Sequence, residues 1–159
     1  MGQASGDIAS QRQQLAKGLM AYGASFTELG RRFAEVLGVH STDAFALMEI
    51  AAAEETGAPL SPALLGKRIA LSSGAMTALL NRLEQAGYVV RSREHTDRRI
   101  VTLRCTRQAK QQADDFFRPV NSRQDDILAE YPPELLRQFD TFLAALRATM
   151  SVELTPPES

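Results

Sequence analysis

The stretch SSGAMTALLNRLEQAGYVVRSREHTDRRIVTLRCT, residues 72–106, decides the fold class of this 159-residue chain. Its first part spaces apolar residues as one face of an amphipathic helix does, and this inward stripe consists of Met76, Leu79, Leu80 and Leu83. Gly87 is a typical helix end, and after it the period of the pattern changes from 3.6 to two. The stretch therefore predicts a helix over 74–86 followed by a pair of strands.

The strand pair has the form of a wing. Its first strand is predicted over residues 88–93. The second strand alternates apolar with polar residues, and its apolar members are Val101, Leu103 and Cys105. A polar hairpin loop, residues 94–99, lies between the strands and carries two adjacent arginines. A strand pair with a charged tip directly after a short helix is typical of winged helix domains.

A second short helix precedes this unit. Ser61 and Pro62 form the pair of N-cap and first-position proline, which predicts a helix over 63–69. Residues 71–73 then form a tight turn into the helix over 74–86. Two short helices joined by a tight turn make a helix-turn-helix, whose second helix lies in the major groove of DNA in proteins that use this motif.

The N-terminal part of the chain is predicted to be helical as well. A long helix over 8–37 has one apolar stripe with steps of three and four residues, and Gly38 is a plausible stop. Ser41 or Thr42 is expected to cap the next helix, which runs to Glu54.

Two further helices are predicted after the wing. Thr106 caps a fifth helix that runs towards Leu128, with a kink at Pro119. Residues 132–134 open a sixth helix with its own apolar stripe, and the tail 155–159 is expected to be disordered.

These elements predict a mainly α fold with a small β-wing. The winged helix-turn-helix domain is assigned to 38–106, and the N- and C-terminal dimerisation helices to 1–37 and 107–154. The stripes of the first and sixth helices hold more Leu and Phe side chains than one subunit of this size can cover. We therefore expect an obligate homodimer.

Charge is unevenly distributed along the chain. The net charge is −1, but residues 66–110 hold ten basic and three acidic side chains, a net +7, against −8 for the rest. A neutral protein with a strongly cationic middle third has an interaction surface for a polyanion. This segment contains both the predicted helix-turn-helix and the wing, which favours duplex DNA as the partner.

The exposed face of the helix over 74–86 is suited to reading DNA. Its predicted DNA-contacting residues are Ser72, Ser73, Gly74, Ala75, Thr77, Ala78, Asn81 and Arg82. The serines lie at a helix N-terminus, which favours a phosphate; Thr77 and Asn81 can bond base edges, and Arg82 can reach a base or a phosphate. As alternatives, Ser73 is an N-cap only, and Gly74 and Ala75 only permit close helix packing.

The wing is predicted to contribute a second set of contacts. Its predicted DNA-binding residues are Arg93, Asp97, Arg98 and Arg99. Arginine at a hairpin tip can enter the minor groove, where the potential is most negative. Asp97 has the wrong sign to touch DNA, so we expect it to orient a neighbouring arginine through a charge-assisted hydrogen bond. Plain solvation of the loop arginines is the alternative.

Composition and motifs argue against several other classes. The longest apolar stretch is far shorter than a membrane span, and the N-terminus lacks an apolar signal-peptide core. The two histidines have no metal-ligand spacing, and the sequence has no Gly-rich phosphate loop and no catalytic grouping. We therefore expect no membrane partner, no catalytic residue, no metal and no cofactor, and we expect a cytoplasmic protein that is not an enzyme.

The single cysteine, Cys105, lies in register with Val101 and Leu103 on the apolar strand face. This position favours a small buried hydrophobic residue over a redox sensor. One cysteine cannot form a disulfide within the chain, which fits a reducing compartment.

Residues 72–106 resemble the recognition helix and wing of the MarR-type (multiple antibiotic resistance) regulators. The most specific elements are the run NRLEQAGYVVR, residues 81–91, and the Asp-Arg-Arg tip, residues 97–99, followed by alternating strand residues that end in Thr106. The order of elements also matches along nearly the whole chain: one long helix, a DNA-binding centre, then two C-terminal helices.

The resemblance implies a homodimer whose first and last helices interlock, with the wings and recognition helices facing DNA. It also implies that Asp97 supports Arg99 and that Arg99 enters the minor groove. The chain departs from the family pattern at two places. Cys105 stands where leucine is usual, and Ala109 and Lys110 replace the usual glycine after the threonine.

The function that the sequence predicts is a DNA-binding transcriptional repressor acting as a homodimer on a pseudo-palindromic operator. A winged-helix module that binds protein, or an architectural DNA binder without sequence preference, is the alternative; the cationic segment argues against the first. We also expect a small aromatic or amphipathic effector that distinguishes two spacings of the DNA-reading lobes. His40 is a candidate for lining its pocket, and a hydrogen-bonded junction histidine is the alternative.

Overall fold

The structure is a computed structural model that describes residues 2–93 and 100–154. Its elements in chain order are α1 (Gly2–Leu37), α2 (Ser41–Glu55), α3 (Pro62–Arg68), α4 (Ser73–Gln85), β1 (Val89–Ser92), β2 (Thr102–Cys105), α5 (Arg107–Ala129) and α6 (Pro133–Leu154). The predicted mainly α fold with a two-stranded wing is confirmed. The predicted disordered tail lies outside the described residues.

The chain divides into two compact units, Met1–Phe116 and Phe117–Ser159. The helix-turn-helix and the wing strands belong to the first unit, together with α1. The second unit contains the end of α5 and all of α6, where the rings of Tyr131 and Phe139 meet edge to face with centroids 6.1 Å apart. Helix α5 continues through Pro119 to Ala129, and the kink expected there stays a prediction.

The core of the first unit lies between α1, α2, α4 and the wing. Its largest fully buried apolar side chains are Phe33, Ile50, Leu65, Leu79, Leu80, Leu83, Val89 and Leu103. Helices α1 and α2 approach closely at Gly30, where a Cβ atom would lie 2.7 Å from Cε1 of Phe45. Glycine therefore permits this approach, because a side chain at position 30 would have to displace that ring.

Helix ends in this unit share one device. Gly38, Gly57 and Gly87 end α1, α2 and α4 in the left-handed region, with φ between 68° and 76°. Ala70 ends α3 in the same way at φ 54°, and the N–H of Leu71 donates to the carbonyl of Gly66 at 3.0 Å, as in a Schellman turn. Alanine is strained in this conformation because its Cβ crowds the backbone.

The predicted caps are partly confirmed. Ser61 caps α3 by accepting a hydrogen bond from the N–H of Leu64, with Pro62 at the first helical position. The expectation that Ser41 or Thr42 caps α2 is wrong: both lie inside the helix, and the N-cap is His40, which makes no side-chain capping bond. His40 has the extended backbone of an N-cap, so backbone geometry rather than a side-chain oxygen starts α2.

The wing strands pair antiparallel with Val89 opposite Cys105 and Arg91 opposite Leu103. On its other side β2 is held by the segment before α3, because the N–H of Leu103 donates to the carbonyl of Leu60 at 2.8 Å. Leu103 and Cys105 are buried as the alternation predicts, but Thr102 is buried as well, with its hydroxyl 3.4 Å from the carbonyl of Ser92.

Within residues 2–93 and 100–154, no single helix has the length and apolar character required to cross a bilayer. Only α1 and α2 taken together, across a bend of 102°, meet the criteria of length and composition.

Candidate nucleic-acid interface

Helix α4 separates its side chains into a buried and an exposed face. Its inward stripe is fully packed: Met76, Leu79, Leu80 and Leu83 are each at most 4% exposed. The residues on the outward face are Ser73, Gly74, Ala75, Thr77, Ala78 and Asn81, and all of them are exposed. The structure therefore brings most of the predicted DNA-contacting residues of this helix onto one open surface.

The N-terminus of α4 is capped by Ser72, whose Oγ accepts a hydrogen bond from the N–H of Ala75 at 3.3 Å. Ser73 is the first helical residue, so the helix begins one residue earlier than predicted and Ser72, not Ser73, is the N-cap. Among residues 2–93 and 100–154, no atom lies within 4 Å of the position that a Cβ atom on Gly74 would take. Gly74 therefore packs against no neighbouring helix in the described part of the chain. Its lack of a side chain leaves the surface of α4 open at this point to close approach by a binding partner.

Thr77 has committed its hydroxyl proton. Its Oγ1 donates to the carbonyl of Ser73 at 2.9 Å, a bond within the helix. The hydroxyl can still accept hydrogen bonds, and the side chain also presents its methyl group. Thr77 is thus suited to a donor on a base edge, or to a thymine methyl, more than to an acceptor.

Arg82 lies on the edge of α4 that faces α2, and it is bound there. Its Nε donates to Asp43 Oδ2 at 2.8 Å and its Nη2 donates to Asp43 Oδ1 at 2.7 Å. The Asp43 side chain is 1% exposed, whereas that of Arg82 is 44% exposed. The hydrogen bond to Asp43 raises the pKa of the guanidinium. This fork fixes α4 against α2, and the base or phosphate contact that the sequence predicts for Arg82 stays a prediction.

Arg91 lies on the opposite edge of α4, where β1 begins. Its Nε donates to Glu84 Oε1 at 3.0 Å and its Nη2 donates to Asn81 Oδ1 at 3.4 Å. Sequence reasoning counted Arg91 only as part of the cationic segment and missed its contact with Asn81. No local pattern signals such a contact, because it joins a helix to a strand ten residues further on.

Three of the four residues predicted to contact DNA from the wing belong to its hairpin loop. Asp97, Arg98 and Arg99 lie outside the described residues, as does the rest of the loop from Glu94. Arg93 lies just after β1 and is exposed. The roles predicted for these four residues stay predictions.

Glu54 joins β2 to α2 and α5, and sequence reasoning did not find it. Its side chain is 8% exposed; Oε2 accepts from the backbone N–H of Cys105 at 2.8 Å, and Oε1 lies 3.3 Å from Nζ of Lys110. Burial, and then the charge of Glu54, raises the pKa of the Cys105 thiol to about 12. This supports the interpretation of Cys105 as a buried residue rather than a redox sensor.

His40 lies at a shallow surface cavity of about 360 Å³ beside the α2 edge of α4. The cavity is lined by Gly38, Val39, His40, Asp43, Arg82, Gln85 and Ala86. Among residues 2–93 and 100–154, no group of three or more His, Cys, Asp or Glu side chains could hold a metal ion.

A short helix with a small polar outward face, a preceding helix and a two-stranded wing define a winged helix-turn-helix protein. Comparison with known proteins agrees. The model of the MarR family matches residues 37–100. The HTH-type transcriptional regulator YcgE of Bacillus subtilis is 36% identical over 121 residues, which are 76% of this chain and 76% of that protein.

Solved structures share the fold. A MarR family protein from Bacillus stearothermophilus superposes with a TM-score of 0.62 at 20% identity, covering 90% of this chain and 97% of that one. MepR of S. aureus, solved as a DNA complex, gives 0.53 at 13% identity, covering 82% and 96%. With the similarity to YcgE, these findings show that the chain belongs to the MarR family of DNA-binding transcriptional regulators.

Proposed function

We propose that this protein is a transcriptional repressor that binds a pseudo-palindromic operator as a homodimer, with α4 of each protomer in the major groove. The observation that carries the proposal is the outward face of α4. It combines small residues with the hydrogen-bonding side chains Thr77 and Asn81 and is exposed along its length. The major groove is wide enough for one helix, and small side chains let the helix backbone approach the base edges.

Electrostatics supports the same partner. The +7 segment, residues 66–110, contains α4, the wing and the start of α5. Neutralising backbone phosphates releases counterions, so a cationic lobe of this kind gains affinity for any duplex and loses it as salt rises. In this proposal Arg99, oriented by Asp97, adds a minor-groove contact, and Arg93 and Arg98 neutralise phosphates.

Exposed apolar side chains on the terminal helices support the homodimer. On α1 they follow a helical stripe at Ile8, Leu15, Tyr22 and Phe26, each about half exposed. On α6 the exposed apolar residues are Phe139, Phe142, Leu143 and Met150. Stripes of this kind are stable in water only when another surface covers them, and a second copy of the chain brings the same two stripes.

Repression follows from occupancy, since a dimer seated on an operator excludes other proteins from the same DNA. The proposal includes a cytoplasmic location, where the DNA of such regulators lies, and no catalytic activity; the membership of a regulator family supports both. The small effector stays a prediction, and so does a role for His40 in binding it.

The decisive experiment is a titration of the DNA upstream of the protein's own gene, with a random duplex of equal length as control. We expect a footprint with half-sites about 10 bp apart and an affinity at least about a thousandfold above that for random DNA. Equal affinity for both duplexes would indicate an architectural binder, and no binding to either would indicate a protein-interaction module.

Sedimentation should show a dimer at micromolar concentration; a stable folded monomer would contradict the proposal.

Three variants separate the contributions of the recognition helix and the wing to DNA binding. Asn81→Ala should cost about 1–3 kcal/mol on the operator only and relax the preference at one position of each half-site. Arg99→Ala should weaken binding to operator and random DNA alike and flatten the salt dependence by roughly one unit per subunit.

Asp97→Ala should weaken DNA binding in the same way as Arg99→Ala but less strongly, because Arg99 loses the carboxylate that orients it. Tighter binding by Asp97→Ala at all salt concentrations would show that Asp97 is only a repulsive surface charge.

A further inference from the structure

The side-chain amide of Asn81 is held in one orientation by a residue of the wing. Nη2 of Arg91 donates to Asn81 Oδ1 at 3.4 Å, while Nε of Arg91 is bound to Glu84 Oε1 at 3.0 Å. A guanidinium has five donors and no acceptor, so the amide atom that faces it must be the oxygen. The two N–H donors of the Asn81 amide are therefore left for another partner.

Glu84 supports this orientation. Its carboxylate accepts from the nearer nitrogen of the Arg91 guanidinium, and the two side chains are partly exposed, at 32% and 38%. The rigid fork of the guanidinium then directs its outer nitrogen towards Asn81. Arg91 is thus engaged on both sides by α4 before any DNA arrives.

We propose that Arg91 is a positioning residue for specificity: it turns the oxygen of the Asn81 amide towards itself and the N–H donors towards DNA, and so selects guanine over adenine at the contacted base pair. This inference rests on the proposed function, in which α4 lies in the major groove. Guanine presents two acceptors there, N7 and O6, whereas adenine presents one acceptor, N7, and one donor, the N6 amino group. An unrestrained asparagine matches adenine with both amide atoms; an asparagine whose oxygen is turned towards Arg91 presents its N–H donors and matches guanine better.

The experiment compares base preference rather than affinity alone. The full-length dimer is used to select duplexes from a random pool, and the position that loses its preference in Asn81→Ala is identified. Operators that differ only by guanine or adenine at that position are then titrated with the wild type and with Arg91→Ala. Arg93→Ala is the matched control, because it removes the same charge just beyond the end of β1.

The wild type should prefer guanine over adenine by roughly tenfold, and inosine, which keeps the N7 and O6 acceptors, should retain most of that preference. In Arg91→Ala the amide can rotate, so the ratio should fall at least about fivefold towards adenine. Arg93→Ala should weaken binding to all duplexes and keep the ratio. A purely structural or electrostatic role of Arg91 would not move the ratio.

Several results would overturn the inference: a wild-type preference for adenine at that position, the same ratio in Arg91→Ala and Arg93→Ala, or no change of preference in Asn81→Ala. In each of these cases sequence-specific binding itself persists. Equal binding of the wild type to operator and random duplex would instead overturn the proposed function, and this inference with it.

Discussion

Helix α4 is held by one carboxylate–arginine pair on each side, and the two pairs differ in burial. Towards α2, a carboxylate that is 1% exposed accepts both bonds of the Arg82 fork. Towards β1, the Glu84 carboxylate is 32% exposed and accepts one bond from Arg91. The carboxylate–arginine pair therefore stabilises the fold where its carboxylate is buried. Where water competes for the carboxylate, the pair is weaker and can exchange partners.

The strongest test of burial as the deciding factor is Cys105, whose pKa is raised to about 12, chiefly by burial. At pH 8 only about one thiol in 10⁴ is then ionised, and the thiolate is the reactive form. We expect alkylation of the native protein by iodoacetamide to be at least roughly a thousandfold slower than in urea, as measured by mass spectrometry. A native alkylation rate within tenfold of the rate in urea would show that burial does not suppress ionisation of the Cys105 thiol.

The second prediction breaks the buried pair from either side. Asp43→Ala releases the half-exposed guanidinium of Arg82 to water and should cost about 1–3 kcal/mol of unfolding free energy in urea. Arg82→Ala should destabilise more than Asp43→Ala, because it leaves the buried carboxylate without its cation. The exposed pair of Arg68 and Glu49 is the control, and Glu49→Ala should change stability by less than about 0.5 kcal/mol. Equal effects of Asp43→Ala and Glu49→Ala would show that burial does not separate the pairs.

The third prediction concerns the turn that leads into α4. Ala70 has φ 54° and is exposed, so Ala70→Gly relieves backbone strain without opening a cavity. We expect a gain of about 0.5–1 kcal/mol, since the relief exceeds the extra entropy of glycine in the unfolded chain. Ala78→Gly, in the middle of α4, is the matched control and should lose a similar amount. A loss in both variants would mean that the turn is not strained.

The smallest effect on stability is expected at the pair of Glu84 and Arg91. Glu84→Gln keeps the shape of the side chain and removes its charge, and it should change the unfolding free energy by less than about 0.5 kcal/mol. Its effect should be visible instead in DNA binding, as a smaller preference for guanine at the Asn81 position, because Arg91 loses its anchor. A change in unfolding free energy as large as that of Asp43→Ala would show that the two pairs on either side of α4 stabilise the fold equally.

The sequence by itself determined the order of elements and most of their ends. The periodicity of α4, the change of period at Gly87, and the cap formed by Ser61 and Pro62 each depend on residues within a few positions of one another. These features can be predicted without knowledge of the fold, because local backbone hydrogen bonds and one buried stripe are enough to specify them. The outward face of α4 could be predicted for the same reason.

Only the tertiary structure decided which partner each polar side chain takes. Arg82 and Asp43 are 39 residues apart, and the amide of Cys105 meets Glu54 across 51 residues. In the sequence Arg82 and Arg91 both belong to one cationic segment, and no local pattern assigns either of them a carboxylate partner. Packing removes one carboxylate from water beside Arg82 and leaves another partly solvated beside Arg91, and no pattern within a single helix or strand encodes that difference.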